Sequence, residues 1–333
     1  MYKGVVWRMS PSSKVVYLTF DDGPIPECTP QVLKILREYG VKATFFMVGE
    51  NAERYPELLD AVRREGHAIG NHTYHHLKGL SCCNDLYVQD TNKAQSILQT
   101  YMLERLLERI SVSKYKDNFI LKGGMLISAM LGIDSRTTMD MDTTIKGFSL
   151  TEENINNIMN EICDIDLNDD VTLKIKKIEP IREDDDYGGY RITFEANFNN
   201  EMPVIMKIDI TTGDKITYRE IKYDFTLMLE NRKIQIWSYN VETIIAEKFE
   251  SIIKRGVLGT RIRDYYDIHM LLNTQTKNID KETLKNAIIS TAEHRETMDS
   301  IKEWKKVVEI LENDSTMKKQ WERYQKIIFM LKE

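Results

Sequence analysis

The sequence changes character between residues 81 and 90, and this change constrains the fold more than any other feature. Before it, short strand and helix patterns alternate, whereas after it a long helical stripe begins and the elements follow a different order. The segment Ser-Cys-Cys-Asn-Asp at the change has no apolar periodicity and is typical of a turn. We therefore expect two units, residues 1–82 and 83–333, because domains commonly run about 100–200 residues.

The composition is that of a soluble globular protein, with 42% apolar and 29% charged residues. No segment approaches the roughly 20 apolar residues that a membrane span needs. Lys3, Arg8 and Lys14 interrupt the N-terminus, where a secretory signal requires an apolar run. The four cysteines follow neither metal nor disulfide spacing. These features predict a cytoplasmic protein without a membrane partner.

The net charge is unevenly distributed, at +1 for residues 1–84 and −7 for the remainder of the chain. An acidic body argues against broad, sequence-blind binding of nucleic acid, which depends on neutralising phosphates. A local basic groove stays compatible with this balance.

Residues 15–71 alternate between strand and helix patterns. The predicted elements are, in order, Val15–Phe20, Thr29–Tyr39, Ala43–Val48, Pro56–Glu65 and Ala68–Asn71. We expect Thr29 to cap the first helix at its start and Gly40 to cap its end. A β-α-β-α-β order predicts parallel strands covered by helices, here a partial (β/α) barrel fragment.

This first stretch contains four residues of the types that commonly bind metal ions. Asp21 and Asp22 end a strand before a Gly-Pro turn, and His72 and His76 are four residues apart, so that on a helical turn both rings face one way. One aspartate and two histidines form a common divalent-metal set, which leaves the second aspartate free as a general base.

This stretch resembles the polysaccharide deacetylase (NodB-homology) family over about residues 8–80, through Thr-Phe-Asp-Asp-Gly-Pro and His-Thr-Tyr-His-His. The resemblance implies that Asp21 is the base and that Asp22, His72 and His76 bind Zn²⁺ or another divalent ion. Leu77 stands where the family usually has proline. The later family motifs do not follow in order, so we interpret residues 1–82 as a truncated fragment with a vestigial site and an open sheet edge.

The second stretch combines a helical stripe, a set of strands and a helical end. A helix is predicted over Thr91–Ile110 and the chain is mostly helical from Val241. Between them the predicted strands are Phe119–Lys122, Thr138–Ile145, Val171–Ile178, Tyr190–Phe198 and Val204–Thr211, and the predicted helices are Gly124–Leu131 and Glu152–Ile162. Asn199-Asn200 marks a turn between two of the strands, which we expect in an antiparallel or mixed sheet. The core spans about residues 91–235 and the helical part about 240–333.

Three carboxylates are predicted to meet in this core. Asp140 and Asp142 alternate on one strand and therefore share a face, and Asp209 lies on another strand with Lys207 two residues before it. Paired carboxylates at this spacing hold Mg²⁺ ions that also bind phosphate oxygens. Lys122-Gly123-Gly124 opens a helix, where backbone N–H groups and the helix dipole favour phosphate.

Each of these motifs also has an ordinary explanation. Two aspartates spaced in this way are commonly solvated strand residues, and Glu247-Lys248 fits a plain exposed helix pair. Arg261, Asp264 and Asp267 fit a surface ladder of ion pairs. Their joint occurrence, in this order and spacing, favours the layout of a polymerase-β-type nucleotidyltransferase.

Together with Ala-Glu-Lys and Arg-Ile-Arg-Asp-Tyr-Tyr-Asp-Ile, these motifs resemble the AbiEii/AbiGii family of type IV abortive-infection toxins over about residues 85–330. The resemblance implies catalytic roles for Asp140, Asp142, Asp209, Lys248 and Asp264, with the first three as metal ligands. It implies nucleotide-binding roles for Lys122, Gly123, Gly124, Arg136 and Arg261. It also implies Mg²⁺ or Mn²⁺, an NTP substrate, a tRNA or protein acceptor, and an antitoxin encoded nearby.

The expected fold class is therefore α/β plus α, with a nucleotidyltransferase core and a helical C-terminal region preceded by the partial barrel. The expected function is that of a Mg²⁺-dependent nucleotidyltransferase toxin. Two alternatives stay open: a metal-dependent carbohydrate or peptidoglycan N-deacetylase acting through the N-terminal motifs, and a non-catalytic fusion remnant.

Overall fold

The computed structural model describes residues 16–77, 84–132, 138, 140–181, 188–198, 202–227, 232–259 and 261–330. The chain divides into two compact units, residues 1–95 and 96–333. The expected turn at residues 81–85 lies partly outside the described ranges, and its last two residues, Asn84 and Asp85, are helical instead.

Up to the start of helix α4 (Asn84–Val112), the described residues of the first unit contain three parallel strands and three helices. The strands are β1 (Thr19–Gly23), β2 (Thr44–Met47) and β3 (Ala68–Asn71), and the helices are α1 (Thr29–Tyr39), α2 (Gly49–Arg54) and α3 (Pro56–Arg64). The strands follow the order β1-β2-β3. The predicted alternation is confirmed, with α2 as an addition.

Both ends of α1 were assigned from the sequence, and one assignment was wrong. Gly40 ends the helix in the left-handed conformation, as expected. Cys28, not Thr29, is the N-cap. Thr29 instead begins the helix, and its hydroxyl accepts a hydrogen bond from the backbone N–H of Ile25 at 2.9 Å.

Apolar side chains from α1, α3 and the sheet form the core of the first unit, including Leu33, Phe45 and Val62. Among the described residues, β1 and β3 each pair with β2 alone. Val16 and Tyr17, just before β1, are 83% and 60% exposed. The expected open edge is therefore present in the described part of this unit.

The second unit contains a mixed sheet followed by helices. Its strands are β4 (Phe119–Lys122), β5 (Asp140–Ile145), β6 (Val171–Ile181), β7 (Gly189–Phe198), β8 (Met202–Thr212), β9 (Ile221–Thr226) and β10 (Lys233–Ser238). Its helices are α4 (Asn84–Val112), α5 (Gly123–Leu131), α6 (Glu152–Cys163), α7 (Val241–Arg255), α8 (Ile262–Thr274), α9 (Lys281–His294), α10 (Met298–Lys302), α11 (Trp304–Asn313) and α12 (Ser315–Met330). Short 3₁₀ helices follow α7 and α8. The mixed α/β character and the helical C-terminal region are as expected.

The seven strands follow the order β6-β7-β8-β5-β4-β10-β9. The sequence did not predict β9 or β10, which form one end of this order with β10 beside β4. Within the described residues, no helix is both long and apolar enough to cross a bilayer.

Strand register lines up four charged residues across the sheet. Arg191 on β7 lies opposite Asp209 on β8, which lies opposite Asp142 on β5, which lies opposite Lys122 on β4. Register partners point to the same face of a sheet. The row, which we call the charged row, therefore places two carboxylates side by side with a cation at each end.

Helix α4 carries buried charge as well as the predicted apolar stripe. Leu103 and Leu106 are fully buried, but so is Arg109 at 2% exposure. Its guanidinium donates two hydrogen bonds of 2.8 Å to Asp169 and one of 2.7 Å to the carbonyl of Val171. Because a buried charge is costly unless it is paired, this bidentate contact fixes α4 against the start of β6.

We predict that Arg109→Met lowers the free energy of unfolding by about 3–5 kcal/mol, because it leaves the Asp169 carboxylate buried without its partner. Urea denaturation followed by tryptophan fluorescence measures the loss. The matched control is Lys114→Met at the exposed Lys114–Glu161 pair, which should leave the midpoint almost unchanged. Equal midpoints for the two variants would contradict the structural role of Arg109.

Candidate functional site

A cleft of about 1580 Å³ opens in the second unit between the sheet and the C-terminal helices. One wall is formed by the start of α5 and by β5, β7 and β8, and the other by α7, α8, α9 and α12. Every site residue that the sequence suggested for this unit lines it except Arg136, which lies outside the described residues.

The three predicted carboxylates lie on the sheet wall. Asp140 and Asp142 on β5 and Asp209 on β8 all line the cleft. Asp140 is exposed, whereas Asp142 and Asp209 are half-buried. Lys207 is opposite Asp140 in the parallel β5–β8 pair and is exposed.

The first residues of α5 hold Asp142 tightly. Gly123 has a φ of +66°, and a Cβ built there would lie 2.1 Å from Oδ2 of Asp142. The backbone N–H of Gly124 donates a hydrogen bond to the same carboxylate. Only glycine at position 123 allows this approach, since it tolerates positive φ and has no side chain. The helix start that was predicted to receive phosphate therefore also receives an aspartate.

Burial raises the pKa of Asp142, the positive charge of Lys122 opposes the rise, and the neighbouring charge of Asp209 adds to it. The pKa lies above its ordinary value as a result. Two carboxylates crowded in this way gain from a cation between them, because a like charge disfavours ionisation.

Lys122, predicted to bind nucleotide, is only 6% exposed. Its ammonium donates to the Thr211 hydroxyl at 2.7 Å and pairs with Asp214. Burial pushes the pKa of Asp214 up, but the Lys122 charge and the hydrogen bonds that Asp214 accepts hold it below the usual value. The sequence analysis did not identify Asp214, which lines the cleft two residues after β8.

Arg191 and Asp209 form a bidentate pair at the other end of the charged row. Nε of Arg191 lies 2.7 Å from Oδ1 of Asp209, and Nη2 lies 2.7 Å from Oδ2. The hydrogen bonds and charge of Asp209 raise the pKa of Arg191. Arg191 also was not identified from the sequence.

Lys248 occupies the opposite wall between two carboxylates of α8. Its Nζ lies 2.6 Å from Oδ1 of Asp264 and 2.8 Å from Oδ2 of Asp267. Asp267 is fully buried, and the Lys248 side chain is 16% exposed. Asp264 and Asp267 therefore pair with Lys248 of the neighbouring helix at the cleft, instead of forming the surface ladder with Arg261 that was the alternative from the sequence.

Arg295 joins α7 to the end of α9 from within the cleft. Its guanidinium pairs with Glu247 and Glu250, each at 2.8 Å. Burial lowers the pKa of Arg295, but the charges of Glu247, Glu250 and Asp214 outweigh that effect and leave it raised. Glu247 therefore forms an ion pair with Arg295. Neither Glu250 nor Arg295 was singled out from the sequence.

Five cleft cations make no ion pair with any described residue, and we call them the basic wall. They are exposed side chains from the end of α7, the start of α8 and α12: Lys254, Arg255, Arg261, Arg263 and Arg323. The cleft therefore carries carboxylates on the sheet side and uncompensated positive charge on the helical side.

Carboxylate oxygens are the donors that Mg²⁺ and Mn²⁺ prefer, so the chemistry of Asp140, Asp142 and Asp209 fits such an ion. The ligand atoms of these three carboxylates are spaced more widely than those of the metal-binding residues in the first unit. Among the described residues, Asp22, His72 and His76 form the one trio whose ligand atoms all lie within 4.8 Å of one another. Asp209 has both oxygens turned to Arg191.

The N-terminal trio has the geometry of a metal-binding set. Nε2 of His72 and Nε2 of His76 lie 3.1 Å and 2.9 Å from the same oxygen, Oδ1 of Asp22. Asp22 and His76 have φ values of +70° and +57°, conformations that cost about 1–3 kcal/mol each and are concentrated at functional sites. Asp21 is exposed beside them. One carboxylate and two imidazoles fit Zn²⁺.

Comparisons with known proteins divide the chain in a similar way. The family model described as nucleotidyl transferase AbiEii toxin, type IV TA system, matches residues 105–332, and the polysaccharide deacetylase model matches residues 8–119.

The curated relatives match the N-terminal part. A peptidoglycan-N-acetylglucosamine deacetylase of Bacillus cereus is 41% identical over 105 residues, which cover 32% of this chain and 49% of the relative. A chitooligosaccharide deacetylase of Azorhizobium caulinodans is 30% identical over 162 residues, covering 48% and 73%. The solved peptidoglycan deacetylase PdaC of Bacillus subtilis is 38% identical, covers 26% of this chain and 43% of its own, and has a TM-score of 0.24. The chain thus spans about half the length of the first of these relatives.

We predict that Gly123→Ala weakens Mn²⁺ binding in the cleft at least about tenfold, because its Cβ displaces Asp142 and disturbs the groups that orient it. Calorimetric titration measures the affinity. Gly132→Ala is the matched control, since Gly132 ends the same helix with a φ of +85° but has nothing within 4 Å. It should lower thermal stability without weakening Mn²⁺ binding, and unchanged affinity in Gly123→Ala would disprove the role of this contact.

Proposed function

Because this chain belongs to the AbiEii family of nucleotidyl transferase toxins through residues 105–332 and to the polysaccharide deacetylases through residues 8–119, we propose that its second unit transfers a nucleotide from an NTP to an acceptor. The observation that carries the proposal is the placement of three carboxylates and the glycine-opened helix α5 on one wall of a large cleft. This arrangement supports a polymerase-β-type core.

Asp140, Asp142 and Asp209 would hold Mg²⁺ or Mn²⁺, which supplies charge neutralisation of the triphosphate and activation of the attacking hydroxyl. The protein's own contribution is positional. Asp142 is fixed by the start of α5, so that its carboxylate requires little rearrangement. Fixed charge aimed at a reacting group is worth more than mobile charge, because no reorganisation accompanies the reaction.

Lys248 and Arg261 would bind phosphate from the opposite wall. Two carboxylates hold the Lys248 ammonium at the cleft, and Asp264 acts here by orienting Lys248. Lys122 supports the carboxylates from beneath instead of meeting the triphosphate, because it is buried against Thr211 and Asp214. The start of α5 at Gly123 and Gly124 would contact both Asp142 and the nucleotide.

An RNA acceptor fits the cleft better than a protein acceptor. The basic wall brings five positive side chains together without carboxylate partners among the described residues. Such a surface attracts a chain of phosphates, even though the whole protein has a net charge of −6. A tRNA end is one of the two acceptor classes, with protein, that the family resemblance suggested. An antitoxin partner is part of the same proposal.

We predict that Asp142→Asn reduces NTP-dependent labelling of RNA at least about a hundredfold, because metal ligands act as a unit and the loss of one disables the set. Labelling with each radioactive NTP in the presence of Mg²⁺ measures the effect. Asp224→Asn, on the exposed face of β9, is the matched control and should retain full activity. Undiminished labelling by the Asp142 variant would remove the proposed metal site.

A second candidate function belongs to the first unit, and the compact Asp22, His72 and His76 trio favours it. We infer that this trio binds Zn²⁺ or a similar ion. Deacetylation of carbohydrate or peptidoglycan is the activity named for the relatives. It would also need groups in the first unit that enclose a substrate beside the metal-binding trio. The three-stranded sheet with its exposed apolar edge does not supply them in the described residues.

We expect the full chain to bind Zn²⁺ through this trio and to release no acetate from chitin oligomers or peptidoglycan. Competition with a chromogenic chelator measures Zn²⁺ affinity, which His72→Ala should weaken and His75→Ala, at the adjacent exposed histidine, should not. Acetate release that disappears in Asp21→Asn would show instead that the first unit is a working deacetylase.

A further inference from the structure

We propose that Arg191 competes with a divalent cation for the carboxylate of Asp209, so that Asp209 is a stronger metal ligand once Arg191 releases it. This inference rests on the proposed function of the cleft and adds a positioning residue to it. Arg191 acts through Asp209 and makes no step of the reaction itself.

Arg191 engages both oxygens of Asp209. Nε and Nη2 of Arg191 each donate a 2.7 Å hydrogen bond, one to each carboxylate oxygen. A planar guanidinium matches a carboxylate in this two-pronged way, which makes the pair stronger than an ordinary surface contact. A cation that binds Asp209 must therefore either replace one of these hydrogen bonds or share the carboxylate with the positive charge of the guanidinium.

Strand register places Arg191 next to Asp209. Arg191 and Asp209 are direct partners in the antiparallel β7–β8 pair, and side chains at such positions start about 4.5–5.5 Å apart at their Cβ atoms. The Arg191 side chain is 43% exposed, and that of Asp209 is 18% exposed. Arg191 can thus turn toward the open cleft without leaving a buried position, whereas Asp209 stays in place.

The cations at the two ends of the charged row differ in how readily they can move away from the neighbouring carboxylate. Lys122 at the other end has a side chain only 8% exposed, and it is held by both Asp214 and Thr211. Asp142 is fixed by the backbone of α5. One carboxylate of the row is therefore permanently presented to the cleft, and the other is held by a cation that can leave.

A released guanidinium remains in the cleft that binds the triphosphate, since Arg191 lines it. Phosphate oxygens are an alternative partner for the same two-pronged donor. The pair therefore links metal binding at Asp209 to the arrival of phosphate, and the coupling is reciprocal by thermodynamic necessity.

The test is the affinity of the full chain for Mn²⁺ alone, measured by calorimetry. Every protein carries His72→Ala and His76→Ala, so that the N-terminal trio does not contribute. Removing the competitor in Arg191→Ala should tighten Mn²⁺ binding about two- to fivefold, the upper part of the range expected for a partly exposed ion pair. Arg191→Lys, which keeps the charge but cannot form the two-pronged contact, should fall between the wild type and Arg191→Ala.

The matched control is Arg323→Ala, which removes one positive charge from the same cleft at a residue without a carboxylate partner among the described residues. It should change Mn²⁺ affinity less than twofold. In an Asp209→Asn background the effect of Arg191→Ala should vanish, because the two residues act through one contact.

Equal or weaker Mn²⁺ binding in Arg191→Ala would overturn the inference, as would equal tightening in Arg323→Ala, which would indicate bulk charge alone. Failure of the proposed function has a different signature. In that case Asp142→Asn would leave Mn²⁺ binding unchanged, and the cleft would not be a metal site of any kind.

Discussion

The parallel pairing of β5 with β8 is the constraint on which the cleft depends. It sets Asp142 directly opposite Asp209, and like charges on neighbouring strands repel each other. The sheet compensates by placing Lys122 and Arg191 at the outer ends of the same row. The site is therefore built from the register of four strands, and a slip of one residue in any of them would turn its charged residue to the other face.

The sequence predicted individual strands and helices better than it predicted which strands pair with each other. Strands β4 and β5 and helix α5 follow from local patterns, and so does the shared face of Asp140 and Asp142. Strands β9 and β10 were missed because nothing local indicates that β10 pairs with β4 more than a hundred residues earlier. Pairings of that separation are decided by the packing of the whole sheet, not by propensity.

The same limit applies to the cleft residues. Lys248 and Asp264 were both singled out from their motifs, but the ion pair between them, at 2.6 Å, was not predicted. Lys122 was expected to face nucleotide, but Asp214, which the sequence analysis passed over, holds it in the interior. Arg191 could have been found, since a hairpin that turns near residue 200 pairs residues at equal distances from that point, which sets Arg191 opposite Asp209.

The chain order of the central strands also determines when the cleft can appear during synthesis. Lys122 of β4 and Asp142 of β5 are synthesised well before Asp209 of β8. The helical wall begins only at Val241. Domains emerge from the ribosome from the N-terminal side at about 5–20 residues per second. An unfinished chain therefore holds its acidic residues without the opposing wall, and the cleft is complete only after the cleft residues of α12 have left the ribosome.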